Sequence, residues 1–261
     1  MHTKHTIFDT KGPVATLTFN RPEARNAMTW AMYDALLAAC DRVDQDDAIR
    51  VFVLRGAGGK AFIAGTDISQ FQNFRDRADG LKYEEDLDRV LQRLEDVQKP
   101  TIAQVNGVAA GGGCAIAFTC DLRVVTPEAT FGIPIARTLG NCLSGTTYGR
   151  LVELMGPAAV KDMIFTGRLL PAAEVQALGL VSRIAGAAEI DVVVRELAHQ
   201  IAANAPLTIR ATKEMIRRVL AARRLAAGRD SDMVEMCYTS ADFREGIASF
   251  LEKRPPRWTG R

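Results

Sequence analysis

Apolar and polar positions follow two rhythms along this chain. Val14 to Phe19 reads VATLTF, a period of two that stops at the turn signal Asn20-Arg21-Pro22. Val51 to Leu54 (VFVL) is a short apolar run closed by the glycine-rich turn GAGG. Thr101 to Val105 ends at Asn106-Gly107, and Leu122 to Val125 ends at Thr126-Pro127. These four runs predict strands. Between them the period lengthens to that of a helix, over Thr29 to Val43 and again over Tyr83 to Val97. In the second, Leu87, Val90, Leu91, Leu94 and Val97 share one face. Strands alternating with helices predict an α/β or spiral ββα architecture with strands buried on both sides. From about Asn204 the strand rhythm disappears. Pro206 suits a first helical turn, and Met215, Ile216, Val219 and Leu220 follow at helical spacing. Two more helical runs lead to Phe250. The expected division is a core over residues 1–200 and a helical part over 201–261.

Composition narrows the class. A chain of 261 residues, 48% hydrophobic and 25% charged, can build its own core without disulfide or metal staples. The 33 basic and 31 acidic residues leave a net charge of +2, so nucleic acid is not an expected partner. Cys40, Cys114, Cys120, Cys142 and Cys237 are scattered with no CxxC, the pattern of buried free thiols in a reducing compartment. His2, His5 and His199 are too badly spaced for zinc, and no metal is expected. The opening MHTKHTIFDT lacks the apolar stretch of a signal peptide, and no run reaches the roughly 18 apolar residues of a membrane span. A cytoplasmic protein is therefore expected, with no membrane partner.

Two stretches carry candidate chemistry. In Asn106 to Asp121 (NGVAAGGGCAIAFTCD) a strand runs into Asn-Gly, and three glycines then open a short apolar helix. Free N–H groups at a helix start favour an anion, and glycine lets a ligand approach the backbone. Tight packing of the helix on a strand is the competing, less favoured account of the glycines. A dinucleotide fingerprint fails because GxGxxG needs glycine where Ile116 stands. The second stretch, Ala61 to Ile68 (AFIAGTDI), follows GAGGK. A phosphate loop is excluded, since it needs glycine at Leu54 and a hydroxyl at Ala61. Asp67 suits a helix cap, and the turn before it could aim the Ala64 N–H into a cleft.

These motifs, with NRPEARNAM (Asn20 to Met28), FTGRLLPAAEVQALGLV (Phe165 to Val181), NAPLTIRATKEMI (Asn204 to Ile216) and FLEKRPPRW (Phe250 to Trp258), resemble the enoyl-CoA hydratase/isomerase, or crotonase, superfamily. The likeness spans nearly the whole chain in order. It implies a spiral of ββα units, a helical C-terminal trimerisation region, a homotrimer or dimer of trimers, and an acyl-CoA thioester substrate. Coenzyme A would enter as part of that substrate, with no separate cofactor. It also implies that Ala64 and Gly112 are the backbone donors of an oxyanion hole. Arg25, Ala27, Gly65, Thr66, Asp67, Ile68 and Gly111 would lie along bound CoA, while Phe250 and Lys253 would meet its adenosine end.

The chain departs from that family at its proton machinery. One glutamate of the hydratases follows the cysteine of GGGC, where this chain has Ala115. The other follows FGxP, where it has Ile135, or Ala136 if the alignment shifts by one. No acidic residue occurs between Glu128 and Glu153. Each general acid or base is worth roughly 10²–10⁴ in rate, so ordinary hydration and simple isomerisation are doubtful. Arg137, Thr138, Asn141, Cys142, Ser144, Thr146 and Tyr148 lie in the same stretch; Arg137 could pair with a substrate carboxylate. Cys142 reads better as a buried structural thiol. Three possibilities follow: a lyase, isomerase or decarboxylase acting through a thioester enolate; a thioester hydrolase with water held by Asn141 or Ser144; and a non-catalytic CoA-binding subunit. Decarboxylation of a malonyl-type thioester is notable, since it makes an enolate without removing a carbon-bound proton.

Overall fold

Two sheets grow from the period-two runs. The computed structural model of the chain describes residues 2–3, 5–224 and 229–261. Its strands are β1 (His2–Thr3), β2 (Thr6–Lys11), β3 (Val14–Phe19), β4 (Val51–Gly56), β5 (Ala61–Ile63) and β6 (Thr101–Val105). They continue with β7 (Val108–Ala110), β8 (Leu122–Val125), β9 (Thr130–Gly132), β10 (Leu170–Pro171) and β11 (Arg183–Ile184). The larger sheet has the order β1-β2-β3-β4-β6-β8-β11, antiparallel at its β1–β3 edge and parallel from β3 onward. The smaller sheet, β10-β9-β7-β5, carries the parallel strands that lead into the glycine turns.

The helices are α1 (Trp30–Gln45), α2 (Arg77–Glu95), α3 (Gly112–Thr119), α4 (Ile135–Thr138) and α5 (Gly145–Thr166). After them come α6 (Ala172–Ala177), α7 (Ile190–Ala202), α8 (Pro206–Ala221), α9 (Ser231–Tyr238) and α10 (Ala241–Leu251). The unbroken VFVL run has the burial its pattern predicts. Phe52 and Leu54 face the main core, while Val51 and Val53 face a second cluster built with Val194 and Ala198 of α7. Both faces of the sheet are thus covered, as parallel strands require.

The segment Phe71 to Tyr83, polar enough to suggest a mobile loop, is built differently. Phe71 is buried and α2 begins at Arg77, well before the predicted Tyr83. Asp76 and Asp79 form a reciprocal capping box that satisfies the first N–H groups of α2 and fixes its start. Farther along, α9 packs on this helix and α10 packs on the turn around Phe71 that precedes it. Tyr238 and Phe243 meet at a tilt, 4.7 Å between ring centres, and Phe71 meets Tyr83 edge-on at 4.9 Å. By contrast, α8 buries no residue and exposes Leu207, Met215, Ile216 and Val219.

Candidate active site at the meeting of two glycine turns

Strand β5 ends in the turn Ala64-Gly65-Thr66, with Gly65 at φ +97°. Strand β7 ends at Gly111, φ +53°, immediately before α3. These left-handed conformations suit glycine, and the two turns touch. A β-carbon on Gly111 would lie 3.5 Å from the Gly65 Cα, and one on Gly65 would lie 3.5 Å from the Ala110 carbonyl oxygen. The third glycine serves packing. A β-carbon on Gly113 would sit 2.2 Å from the Ile63 carbonyl oxygen, so α3 lies directly on β5 only because none is there.

The donor assigned to Ala64 must be moved. The Ala64 N–H donates to the Arg25 carbonyl at 3.1 Å and is turned out of the site. The N–H groups of Thr66 and Gly112 have no hydrogen-bond partner among the described residues. Thr66 is held firmly. The Asp67 N–H donates to the Met28 carbonyl at 2.8 Å, and Thr66 Oγ1 lies 2.7 Å from Tyr33 Oη and 2.8 Å from Tyr83 Oη. A β-carbon on Gly112 would be 3.6 Å from that same Oγ1, so the two residues that carry the free donors are neighbours. Burial raises Tyr33 to about 12 and lifts Tyr83 as well, so both phenols stay protonated at neutral pH.

A cavity of about 120 Å³ opens beside these turns. Gly65, Thr66, Ile68, Gly111 and Gly112 line it, and so do Ala115 and Ile135 at the two positions where the resemblance leads one to look for glutamates. Ala136 is exposed, so Ile135 is the residue at the second position. Thr138 and Asn141 complete one wall, with Phe250 at the mouth. Arg137 and Lys253 are exposed and lie off the cavity wall. Arg25 is also exposed, and the Ala27 carbonyl accepts from Arg21 Nη1 at 3.2 Å. Asp67 works as a cap. It accepts from the Ser69 N–H and pairs with Arg21 at 2.6 Å; these bonds outweigh its partial burial and hold it below the usual carboxylate range.

One lining residue has no counterpart in the motif reading. Glu84 of α2, only 3% exposed, lines the same cavity. Its Oε1 accepts from Tyr238 Oη at 2.5 Å and its Oε2 from the Ser144 N–H at 2.8 Å. Burial, with no cation against it, raises its carboxyl to about 8 despite those two donors. The signal was present in the sequence. Position 84 continues the stripe Leu87, Leu91, Leu94 backward at helical spacing, so a carboxylate falls on a buried face. Cys142 is buried as expected; its thiol hydrogen bond with the free Cys237 and its burial both raise it, which disfavours the nucleophilic thiolate. Among the described residues, no group of His, Cys, Asp and Glu could hold a metal ion. A larger cavity, about 570 Å³ under α8, shares no lining residue with the glycine turns.

The chain is similar to known proteins over its full length. Residues 9–261 match the family described as enoyl-CoA hydratase/isomerase. A short-chain-enoyl-CoA hydratase of Clostridium acetobutylicum is 33% identical over 256 residues, 97% of each chain. A crotonyl-CoA hydratase of Syntrophomonas wolfei is 31% identical, covering 95% of each. Among solved structures, methylmalonyl-CoA decarboxylase in complex with 2-nitronate-propionyl-CoA superposes with a TM-score of 0.90 at 28% identity, covering both chains completely. The α/β fold expected from the sequence is the fold of these neighbours.

Proposed function

Because the chain belongs to the enoyl-CoA hydratase/isomerase family, whose members process acyl-CoA thioesters, we propose that it stabilises a thioester enolate between the N–H groups of Thr66 and Gly112. One observation carries this reading: two adjacent, unpartnered backbone donors border a cavity whose reacting centre is apolar. Donors fixed before the reaction need no reorganisation when charge develops on the thioester oxygen, and α3 adds its positive end at Gly112.

Decarboxylation of an alkylmalonyl thioester is the favoured source of that enolate. Ala115 and Ile135 offer no base to remove a carbon-bound proton or to position water, and their methyl groups exclude water from a leaving carboxylate. Glu84, neutral below about pH 8, adds no repelling charge. The overlay with a methylmalonyl-CoA decarboxylase supports the same chemistry. Hydrolysis has less support, since Ser144 Oγ is committed to Asp88 at 2.6 Å. In this reading Gly65, Ile68, Gly111, Ile135 and Asn141 contact the acyl-pantetheine part, Arg25, Ala27, Asp67 and Arg137 lie along the outer course of CoA, and Phe250 and Lys253 meet its adenosine end. The exposed apolar face of α8 supports a homotrimer or dimer of trimers.

The test is mass spectrometry of 2-enoyl, 3-enoyl, alkylmalonyl and saturated acyl-CoA incubated with the protein in heavy water. Loss of carbon dioxide is expected from the alkylmalonyl thioester. Added water on the 2-enoyl thioester would overturn the reading of Ala115 and Ile135, and free CoA would favour hydrolysis. In Gly112→Pro, which removes one donor, turnover should fall about 10²–10³-fold, with melting measured to confirm the fold.

A further inference from the structure

We propose that the Glu84 carboxyl exchanges a proton with the α-carbon of the bound thioester. This rests on the enolate reading above and supplies the acid that Ala115 and Ile135 cannot.

The hydrogen-bond directions fix where the proton sits. Tyr238 Oη accepts from Asn141 Nδ2 at 3.0 Å, so its own hydrogen goes to Glu84 Oε1. A proton on the carboxyl therefore belongs to Oε2, where Ser144 offers only a donor. Among the described residues Oε2 has no partner besides that amide, and the residue borders the cavity. Among the described residues, no Arg or Lys hydrogen-bonds or ion-pairs with Glu84. Asp88 of the same helix and Asp230 before α9 face it with negative charge, and Arg150 lies on the far side of Asp88 at 4.0 Å. Tyr83, Tyr238 and Cys142 stand around it as neutral groups. Burial together with those two carboxylates keeps the proton on to about pH 8.

The step balances. The bond between the α-carbon and the carboxylate breaks, carbon dioxide leaves, and the electron pair passes into the enolate held by Thr66 and Gly112. The enolate carbon takes the Oε2 proton, leaving Glu84 as carboxylate, which a solvent proton restores. In reverse, the carboxylate form removes an α-proton from a saturated thioester, and the proton exchanges with water. Tyr238 is a positioning residue, since it orients the carboxyl without meeting substrate.

The experiment follows the α-protons of propionyl-CoA in heavy water across pH, with decarboxylation of methylmalonyl-CoA measured on the unmodified protein. Exchange should rise with pH toward a plateau above about pH 8. Glu84→Gln should lose exchange by about 10²-fold or more. Tyr238→Phe removes a donor that favours the carboxylate, so its midpoint should move to higher pH; a purely structural tyrosine would leave it unmoved. If the unmodified protein decarboxylates and exchanges while Glu84→Gln still exchanges within threefold of it, Glu84 is not the acid and the enolate reading survives. If the unmodified protein does neither, both fall together. If Glu84→Gln does not fold, Tyr238→Phe decides, and an unmoved midpoint overturns the proposal.

Discussion

Glu84 and Glu95 belong to one helix, α2, and both are withdrawn from water, yet their surroundings differ in kind. Glu95 is gripped by Arg224 at 2.6 and 2.7 Å and by Arg150 at 3.0 Å. Burial opposes its ionisation, but the two guanidiniums outweigh it and hold the carboxyl below its usual range. Glu84 receives only a phenol and one amide, and burial wins. Glu95 ties α2 to α5 and to the segment after α8. Glu84 faces a cavity with a carboxyl that stays protonated at neutral pH. Depth alone therefore does not say what a buried carboxyl is for; whether a cation answers it does.

The sharpest way to break this contrast is to titrate stability. Folded Glu84 holds a proton that the unfolded chain has lost between about pH 4.5 and 8, so stability should fall as pH rises through that window. The difference approaches about 4 kcal/mol at its upper end, and urea melts at several pH values read it directly. Glu84→Gln should flatten that limb; an unchanged slope would mean the carboxyl is already ionised when folded. Next in size is Arg224→Leu, which leaves Glu95 on Arg150 alone. It should cost about 3 kcal/mol by chemical denaturation and leave the midpoint of α-proton exchange where it was. Third, a β-carbon at Gly80 would lie 2.5 Å from Tyr238 Cβ and Cγ. Gly80→Ala should lose about 2 kcal/mol through overpacking and also disturb exchange, because it pushes on the phenol that orients Glu84. Least affected should be Asp86→Ala, which breaks the exposed pairs with Lys82 and Arg89 on the same helix. A change below about 0.5 kcal/mol is expected in melting, and a larger one would mean surface charge on α2 matters as much as its buried charge.

Much of the framework could be read from the sequence because its signals are local. The runs at Val14–Phe19, Thr101–Val105 and Leu122–Val125 became strands with the same limits. The start of α2 was lost because its first turns are polar; Asp76 and Asp79, the pair that caps it, were the available cue. The glycine turn is legible, but the Ala64 N–H expected to face the cavity is bonded to the Arg25 carbonyl, and the unbonded N–H lies two residues on, at Thr66. Sequence locates a turn without saying which of its successive N–H groups faces inward. Here the positive φ of Gly65 separates the Ala64 N–H, used by Arg25, from the free Thr66 N–H. Glu84 falls outside both glycine motifs, on the helix that connects them, so no motif signals it. Tyr238 and Asn141, which orient it, come from still other elements and meet it only in three dimensions.

The Tyr33–Thr66–Tyr83 hydroxyl chain has an optical consequence. Trp30 stacks on Tyr33 at 6.2 Å and lies 5.8 Å from Tyr83, and it is one of only two tryptophans in the chain. Both tyrosines grip the residue that would carry the oxyanion donor. If a thioester oxygen settles on the Thr66 N–H as proposed, it should shift that chain, and the indole packed on both phenols should report binding as a change in emission that needs no label.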